Sequence, residues 1–162
     1  MTIAPCRLGQ QNRIGASGEA RLDAFLSKWF YVMPVPQGLQ DQGIDRILCS
    51  RTDWAYSSLE IKTDDKAHRT GNAFVELIGD NVRQHQGWAV KSKAQFLAYL
   101  LAETGVCYIV RMNRLREQLE RWEAVHPTAY CSNIGRLGPY QSEGILVPLA
   151  EIQKIAERVY QL

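Results

Sequence analysis

Asp45, in Gly43-Ile44-Asp45-Arg46, and the pair Glu60 and Lys62, in Leu59-Glu60-Ile61-Lys62, are the residues of this chain whose types and spacing can do chemistry. The two acids lie on separate apolar segments, fifteen positions apart. Side chains at i and i+2 of a strand project from one face, so Glu60 and Lys62 point together while Leu59 and Ile61 anchor the strand in the core. A strand over 44–50 paired with one over 56–63 lays Asp45 beside Glu60. Two ionised carboxylates at that distance repel each other, and a divalent cation both relieves the repulsion and is held by it. Hard oxygen ligands on few residues suit Mg2+ or Mn2+, with waters and a substrate phosphate completing the shell. Such an ion polarises a phosphoryl oxygen and lowers the pKa of a bound water. Lys62 would orient that water or stabilise charge in the transition state. The Ile61 backbone carbonyl is a further candidate ligand. Taken alone, Glu-x-Lys is equally an ion pair on an ordinary strand, and exposed pairs contribute little. The Gly-Ile-Asp strand upstream and the hairpin between the two segments favour the metal reading.

Other residues gather around this set. Glu19 falls three positions before Leu22 and seven before Leu26, on the apolar face of a helix expected over 15–30 with Ser17 as its cap. In a first turn the helix dipole favours an anion there, so Glu19 either points into a site or is an ordinary N-terminal glutamate. Phe74, Glu76 and Ile78 share one face if 73–78 is a strand, which makes Glu76 either an extra acid beside the site or an exposed edge residue. Asn72 can contact a phosphate or a base edge. Lys66, His68 and Arg69 precede it on a loop able to hold a phosphate backbone, although a solvated charged loop accounts for them as well. Trp88 can stack on an unpaired base, but a packed Trp is the better reading.

Gly15-Ala16-Ser17-Gly18-Glu19 opening a helix, then Gly43-Ile44-Asp45, then Leu59-Glu60-Ile61-Lys62, resembles the PD-(D/E)xK nuclease superfamily. Within it the order is similar to that of archaeal Holliday-junction resolvases and restriction-endonuclease-like proteins. The resemblance spans residues 15–112 and carries expectations. The fold would be α/β, a restriction-endonuclease-like three-layer αβα arrangement with a central mixed β-sheet. The activity would be that of a Mg2+- or Mn2+-dependent DNA endonuclease. Asp45 and Glu60 would ligate metal, Lys62 would be the catalytic lysine, and Glu19 the helix-borne acid of some branches. Ile44 stands where the usual proline precedes the first acid. Two incisions in duplex or branched DNA call for a symmetric homodimer. A catalytically silent DNA-binding or recombination accessory protein on the same fold is the alternative, because function lives in a site and not in a fold.

The elements that must position these residues follow from pattern. Strands are expected at 31–35, 44–50, 56–63, 73–78, 106–112 and 145–147, the first at a sheet edge because of Pro34 and Pro36. Helices are expected at 15–30, 92–101, 114–124 and from Pro148 through Leu162, with loops at 37–43, 64–72 and 130–144. A helix, several strands, then strands alternating with helices argue for a mixed sheet covered by helices on both faces. Ile152, Ile155, Ala156 and Val159 give the last helix an apolar face for the core or for a dimer contact. The 162 residues suit a single nuclease-like domain over 1–162, with 1–13 as a loose arm. The formal charge of +2 neither demands nor forbids nucleic acid. Cysteines at 6, 49, 107 and 131 are too openly spaced for a zinc or iron–sulfur site, and reduced thiols are expected. With neither an apolar run of spanning length nor a signal sequence, the expectation is a cytoplasmic protein that does not enter a membrane.

Overall fold

The computed structural model describes residues 2–3, 8–135 and 137–162. The first half comprises β1 (Thr2–Ile3), α1 (Leu8–Leu26), β2 (Phe30–Pro34), α2 (Gln37–Gln40), β3 (Arg46–Ser50), β4 (Tyr56–Asp64), α3 (Ala67–Thr70) and β5 (Asn72–Asp80). There follow β6 (His85–Gln86), α4 (Trp88–Lys91), β7 (Phe96–Leu101), β8 (Val106–Arg111) and α5 (Met112–Val125). The chain ends with β9 (Thr128–Gly135), β10 (Gly138–Pro148), α6 (Leu149–Ile155) and β11 (Ala156–Gln161). Six strands in the order β11-β8-β7-β4-β3-β2 form a mixed sheet, and β1-β9-β10-β5-β6 form a second. In the six-stranded sheet β4 and β7 are parallel and the other neighbours antiparallel.

Alternation along β4 decides what each face of the central sheet meets. Leu59 and Ile61 pack with Leu22 and Leu26 of α1, and with Leu48, Ala98, Leu100 and Cys107 of the flanking strands. Glu60 and Lys62 point to the opposite face. There Leu97, Tyr99, Leu101, Tyr108 and Val110 pack against Ala73, Val75, Ile145 and Val147 of the second sheet, with Trp88, Leu115, Trp122 and Ile152 from the helices. The molecule is therefore mixed α/β with a mixed six-stranded sheet. Its far layer, expected to be helical, is built from a second sheet together with α4, α5 and α6.

Strand β2 lies at the sheet edge as its prolines require, and β3 and β4 form the expected antiparallel hairpin. Elsewhere the chain departs from its pattern. The helix expected over 15–30 runs from Leu8 to Leu26, so Ser17 and Glu19 lie in its interior and neither caps it. Within the loose arm expected over 1–13, Thr2 and Ile3 pair in parallel with Tyr130 and Cys131 and the helix covers 8–13, while residues 1 and 4–7 lie outside the described residues. In place of the helix expected over 92–101 stand an irregular stretch, 92–95, and β7, whose Phe-Leu-Ala-Tyr-Leu-Leu is buried on both faces and so shows no alternation. The loop expected over 130–144 is the β9–β10 hairpin. The last helix stops at Ile155, and β11 pairs with β8. No described helix is long and apolar enough to cross a membrane.

Helix α1 sits close to the sheet because Gly18 has no side chain: a Cβ there would overlap the Thr63 hydroxyl, whereas one at Gly15 meets nothing within 4 Å. Gly18→Ala is expected to lose about 1–3 kcal/mol through overpacking. Gly15→Ala is expected to gain about 0.5–1 kcal/mol from reduced backbone entropy of the unfolded chain and better helix propensity. Urea denaturation of the two variants checks the opposite signs.

Candidate active site

The site forms where β3 and β4 part. Their last paired residues are Arg46 and Leu59. One position further out, the Asp45 N–H donates to the Leu59 carbonyl at 2.8 Å, and the Ile61 N–H donates to Asp45 Oδ2 at 2.7 Å. A carboxylate thus takes the place of a backbone carbonyl in the ladder, with Oδ1 outside that bond. The Ile61 carbonyl leaves β4 on the same edge as its N–H. Gly43 makes the approach possible. Its φ of +73° suits glycine, and a Cβ would stand 2.7 Å from Ser92 Cα and 2.9 Å from Glu60 Oε2. The Ser92 hydroxyl donates to the Gly43 carbonyl at 2.6 Å. Arg116 of α5 holds this corner by donating to the Ala89 carbonyl at 3.1 Å and to the Ser92 carbonyl.

Glu60 is 2 % exposed. Its Oε1 lies 2.6 Å from Lys62 Nζ, and its buried Oε2 has no hydrogen-bond partner. Burial raises the Glu60 pKa above the usual carboxylate range; Lys62 opposes the rise and Asp45 adds to it. Glu76 projects from β5 of the second sheet, and its Oε1 accepts from the Trp88 N–H at 3.3 Å. Burial raises its pKa too, against Lys62, that N–H and Lys91. Burial pulls the Lys62 pKa down, but Glu60, Asp45 and Glu76 outweigh it, and the net direction is upward. About a third of the Lys62 side chain stays exposed, 35 %. One ammonium is therefore shared among three carboxylates, with Lys91 as a more distant cation.

The structure brings Asp45, Glu60, Lys62 and Glu76 together and leaves Glu19 out. Glu19 lies on α1, against the other face of the sheet, where its Oε2 is 3.0 Å from an Arg46 nitrogen that Asp23 shares at 2.9 Å. The candidate phosphate-binding residues surround α3. Asn72 donates its side-chain amide to the Thr70 carbonyl at 3.0 Å, His68 Nδ1 is buried without a partner, Lys66 precedes this single turn, and His68 and Arg69 lie within it. Trp88 is packed in the core beside Tyr99, with ring centroids 6.4 Å apart. Arg111 and Arg114 pair with Glu157, and Arg121 with Glu151, so these basic residues are engaged internally. Cys49 and Cys107 are buried, and burial pushes the Cys107 thiol up to about 12. Cys6 lies outside the described residues.

Three neighbours of the site were not anticipated. Asp64 continues the face of Glu60 and Lys62, so the rule that found those two reaches it as well. Its Oδ1 accepts from the Lys66 and Ala67 N–H groups, both at 2.7 Å, and its Oδ2 accepts from the Tyr99 hydroxyl. Lys91 and Ser92 arrive through tertiary packing, and nothing local in their sequence marks them.

Among the described residues no three His, Cys, Asp or Glu side chains converge as a metal-binding group. The donors present nevertheless suit a hard cation that keeps most of its waters. Glu60 Oε2 is buried and unpartnered, Asp45 has an oxygen beyond its backbone bond, and the Ile61 carbonyl leaves the strand on the edge whose N–H holds Asp45. No family model, no curated protein and no solved structure matches this chain.

Raised carboxylate pKa values set a pH dependence. Between the usual carboxylate range and the raised values of Glu60 and Glu76, the folded chain binds protons that the unfolded chain does not. Stability therefore rises as pH falls into that interval from above. Lys62 acts at the alkaline end: its contribution is complete below the ordinary lysine range and disappears as pH passes its raised value. The urea midpoint of the metal-free protein should climb as pH falls toward the ordinary carboxylate range, and Glu60→Gln/Glu76→Gln should remove the climb. A wild-type midpoint that declines over this interval, or a climb that survives in the double variant, would contradict the assignment.

Proposed function

We propose that this chain is a divalent-metal-dependent endonuclease that hydrolyses DNA phosphodiester bonds, on a restriction-endonuclease-like fold of the PD-(D/E)xK superfamily. The observation that carries this reading is a carboxylate, Glu60, buried beside Asp45 with one oxygen clamped by Lys62 and the other unpartnered. Such an atom is costly unless something completes its coordination. When bound, Mg2+ or Mn2+ supplies Lewis-acid polarisation of the phosphate and a lowered pKa for the attacking water.

The protein's own residues do the rest. Asp45 is oriented by the Ile61 N–H, which fixes where its remaining oxygen points. Lys62 holds Glu60 in place and presents an ammonium where the pentacoordinate phosphorus gains negative charge. Glu76, the possible extra acid, draws on the same ammonium and can take a proton as water attacks. Lys66, His68, Arg69 and Asn72 stand at the end of the strand that carries the site, on the path of a phosphate backbone. A homodimer supplies the two incisions that duplex or branched DNA requires. We place the protein in the cytoplasm, where buried Cys49 and Cys107 stay reduced.

The accessory-protein reading keeps one observation in its favour: Lys62 is already committed as counter-ion to Glu60, with Asp45 and Glu76 drawing on it.

Cleavage of a four-way junction and of a matched linear duplex, with Mg2+ or Mn2+, separates the two. Wild type should cut at least one. Asp45→Ala and Lys62→Ala should each lower the rate on the order of 10²–10³-fold while remaining folded. Glu19→Gln should stay within a few-fold of wild type, because its carboxylate serves Arg46. Calorimetric Mn2+ binding should vanish in Asp45→Ala. No cutting by folded wild type, with no Mn2+ heat, gives the accessory reading the preference.

A further inference from the structure

Beyond the acid cluster, β2, β4 and the β3–β4 turn carry aromatic rings that the core does not use. Trp54, Tyr56 and Tyr31 are 64 %, 67 % and 43 % exposed. The Tyr31 and Trp54 rings stack, with centroids 5.8 Å apart and planes 16° from parallel. The Arg51 guanidinium lies 4.0 Å from the Tyr31 ring centre. With Met33 and Cys49 these residues line an open groove of about 600 Å3. Trp54 holds a left-handed φ of +60°, unusual for a bulky residue, at the turn that presents its ring to solvent.

The groove and the site lie on the same face of the six-stranded sheet. Tyr31, Cys49 and Tyr56 occupy one row across β2, β3 and β4. The regular β3–β4 register places Tyr56, Ser58, Glu60 and Lys62 on one face of β4. At about 3.3 Å per residue, Tyr56 stands ~13 Å along the strand from Glu60, a reach of a few nucleotides. The charge is suited to a polyanion: Arg51 is the charged residue of the groove lining, which contains no carboxylate.

Exposed ring faces beside a guanidinium and without hydrogen-bonding groups arranged to read base edges are what sequence-tolerant stacking on unpaired bases requires. We propose that this groove binds a single strand of nucleic acid, stacking its bases on Trp54 and Tyr56, and leads that strand to Glu60 and Lys62. The inference deepens the nuclease reading and rests on it for the strand's destination: the substrate would carry an unpaired segment next to the bond that is cut.

Binding can be measured apart from cleavage. The probe is fluorescein-labelled oligo(dT), followed by anisotropy in EDTA, with a blunt duplex of equal length for comparison. Wild type should prefer the single strand. Trp54→Ala and Tyr56→Ala should each weaken oligo(dT) binding about tenfold and the double variant further, while Trp54→Phe and Tyr56→Phe stay near wild type. Oligo(dT) should also quench wild-type tryptophan fluorescence, and Trp54→Phe should lose that quenching, a readout that needs no destabilising change. Unchanged oligo(dT) affinity in the double variant, or equal losses on duplex and single strand, would overturn the proposal. So would a double variant that turns a dimer into a monomer with oligo(dT) binding intact, because the groove would then be a contact between copies. Junction cutting by wild type with undiminished oligo(dT) binding in the double variant sinks the groove and spares the nuclease. Loss of oligo(dT) binding in the variants, with no cutting by wild type, does the reverse.

Discussion

The architecture around the site turns on a carboxylate that water does not reach. Glu60 lies in a strand at the middle of a sheet, covered by a second sheet, with a single ammonium two residues away to balance it. The desolvation of a charged group costs several kcal/mol, and removing one partner of a buried pair costs about 3–5 kcal/mol. Strand alternation makes the pairing possible, since it puts Lys62 on the side of Glu60 and leaves Leu59 and Ile61 for the other core. The same alternation brings Glu76 in from the opposite sheet, so one cation must serve several anions. What would be a defect in a purely structural core is, on the proposed reading, an arrangement that a hard metal ion would complete.

The other face of the sheet uses the same residue types to a different end. Arg46, Asp23 and Glu19 form a partly exposed network between β3 and α1. Pairs of this kind contribute modestly to stability. Together with the close approach of Gly18 to Thr63, however, they set the height and rotation of the helix on the strands. Arg46 also donates to the carbonyl of Asp45 at 2.8 Å, which ties the helix anchor to the first acid of the site. The acid on α1 therefore shapes the site through the backbone while its carboxylate remains on the helix side.

The part of the site carried by local geometry was legible in the sequence. Asp45, Glu60 and Lys62 follow from one hairpin and the two-residue period of a strand, and turn residues at 51–53 mark that hairpin plainly. Glu76 was visible as an acid on a strand face, but its approach to Lys62 depends on how two sheets stack. The elements that escaped were those in which tertiary burial overrides local pattern. Strand β7 is apolar throughout because both its faces are covered, which removes the alternation that distinguishes a strand from a helix. In β9 and β10, Gly135, Gly138, Pro139 and Gly144 read as loop residues, yet they sit in a long hairpin whose buried Ala129 and Ile145 are too widely spaced to announce it. Helical spacing from Ile152 to Val159 concealed the change to strand at Ala156.

The parallel pairing of β4 with β7 has a kinetic consequence. Parallel neighbours cannot be joined by a tight turn, so residues 65–95 must leave the sheet and come back. That excursion carries α3, β5, β6 and α4, and with them Glu76, Lys91 and the Trp88 N–H. The β3–β4 hairpin can form from neighbouring residues while Glu60 is still hydrated. Its carboxylate loses water only when the excursion closes over it, a step with a larger entropic cost than hairpin formation. The protonation equilibria of Glu60 and Glu76 are thereby linked to the closing of the long connection over them, and not to the turn that joins β3 to β4.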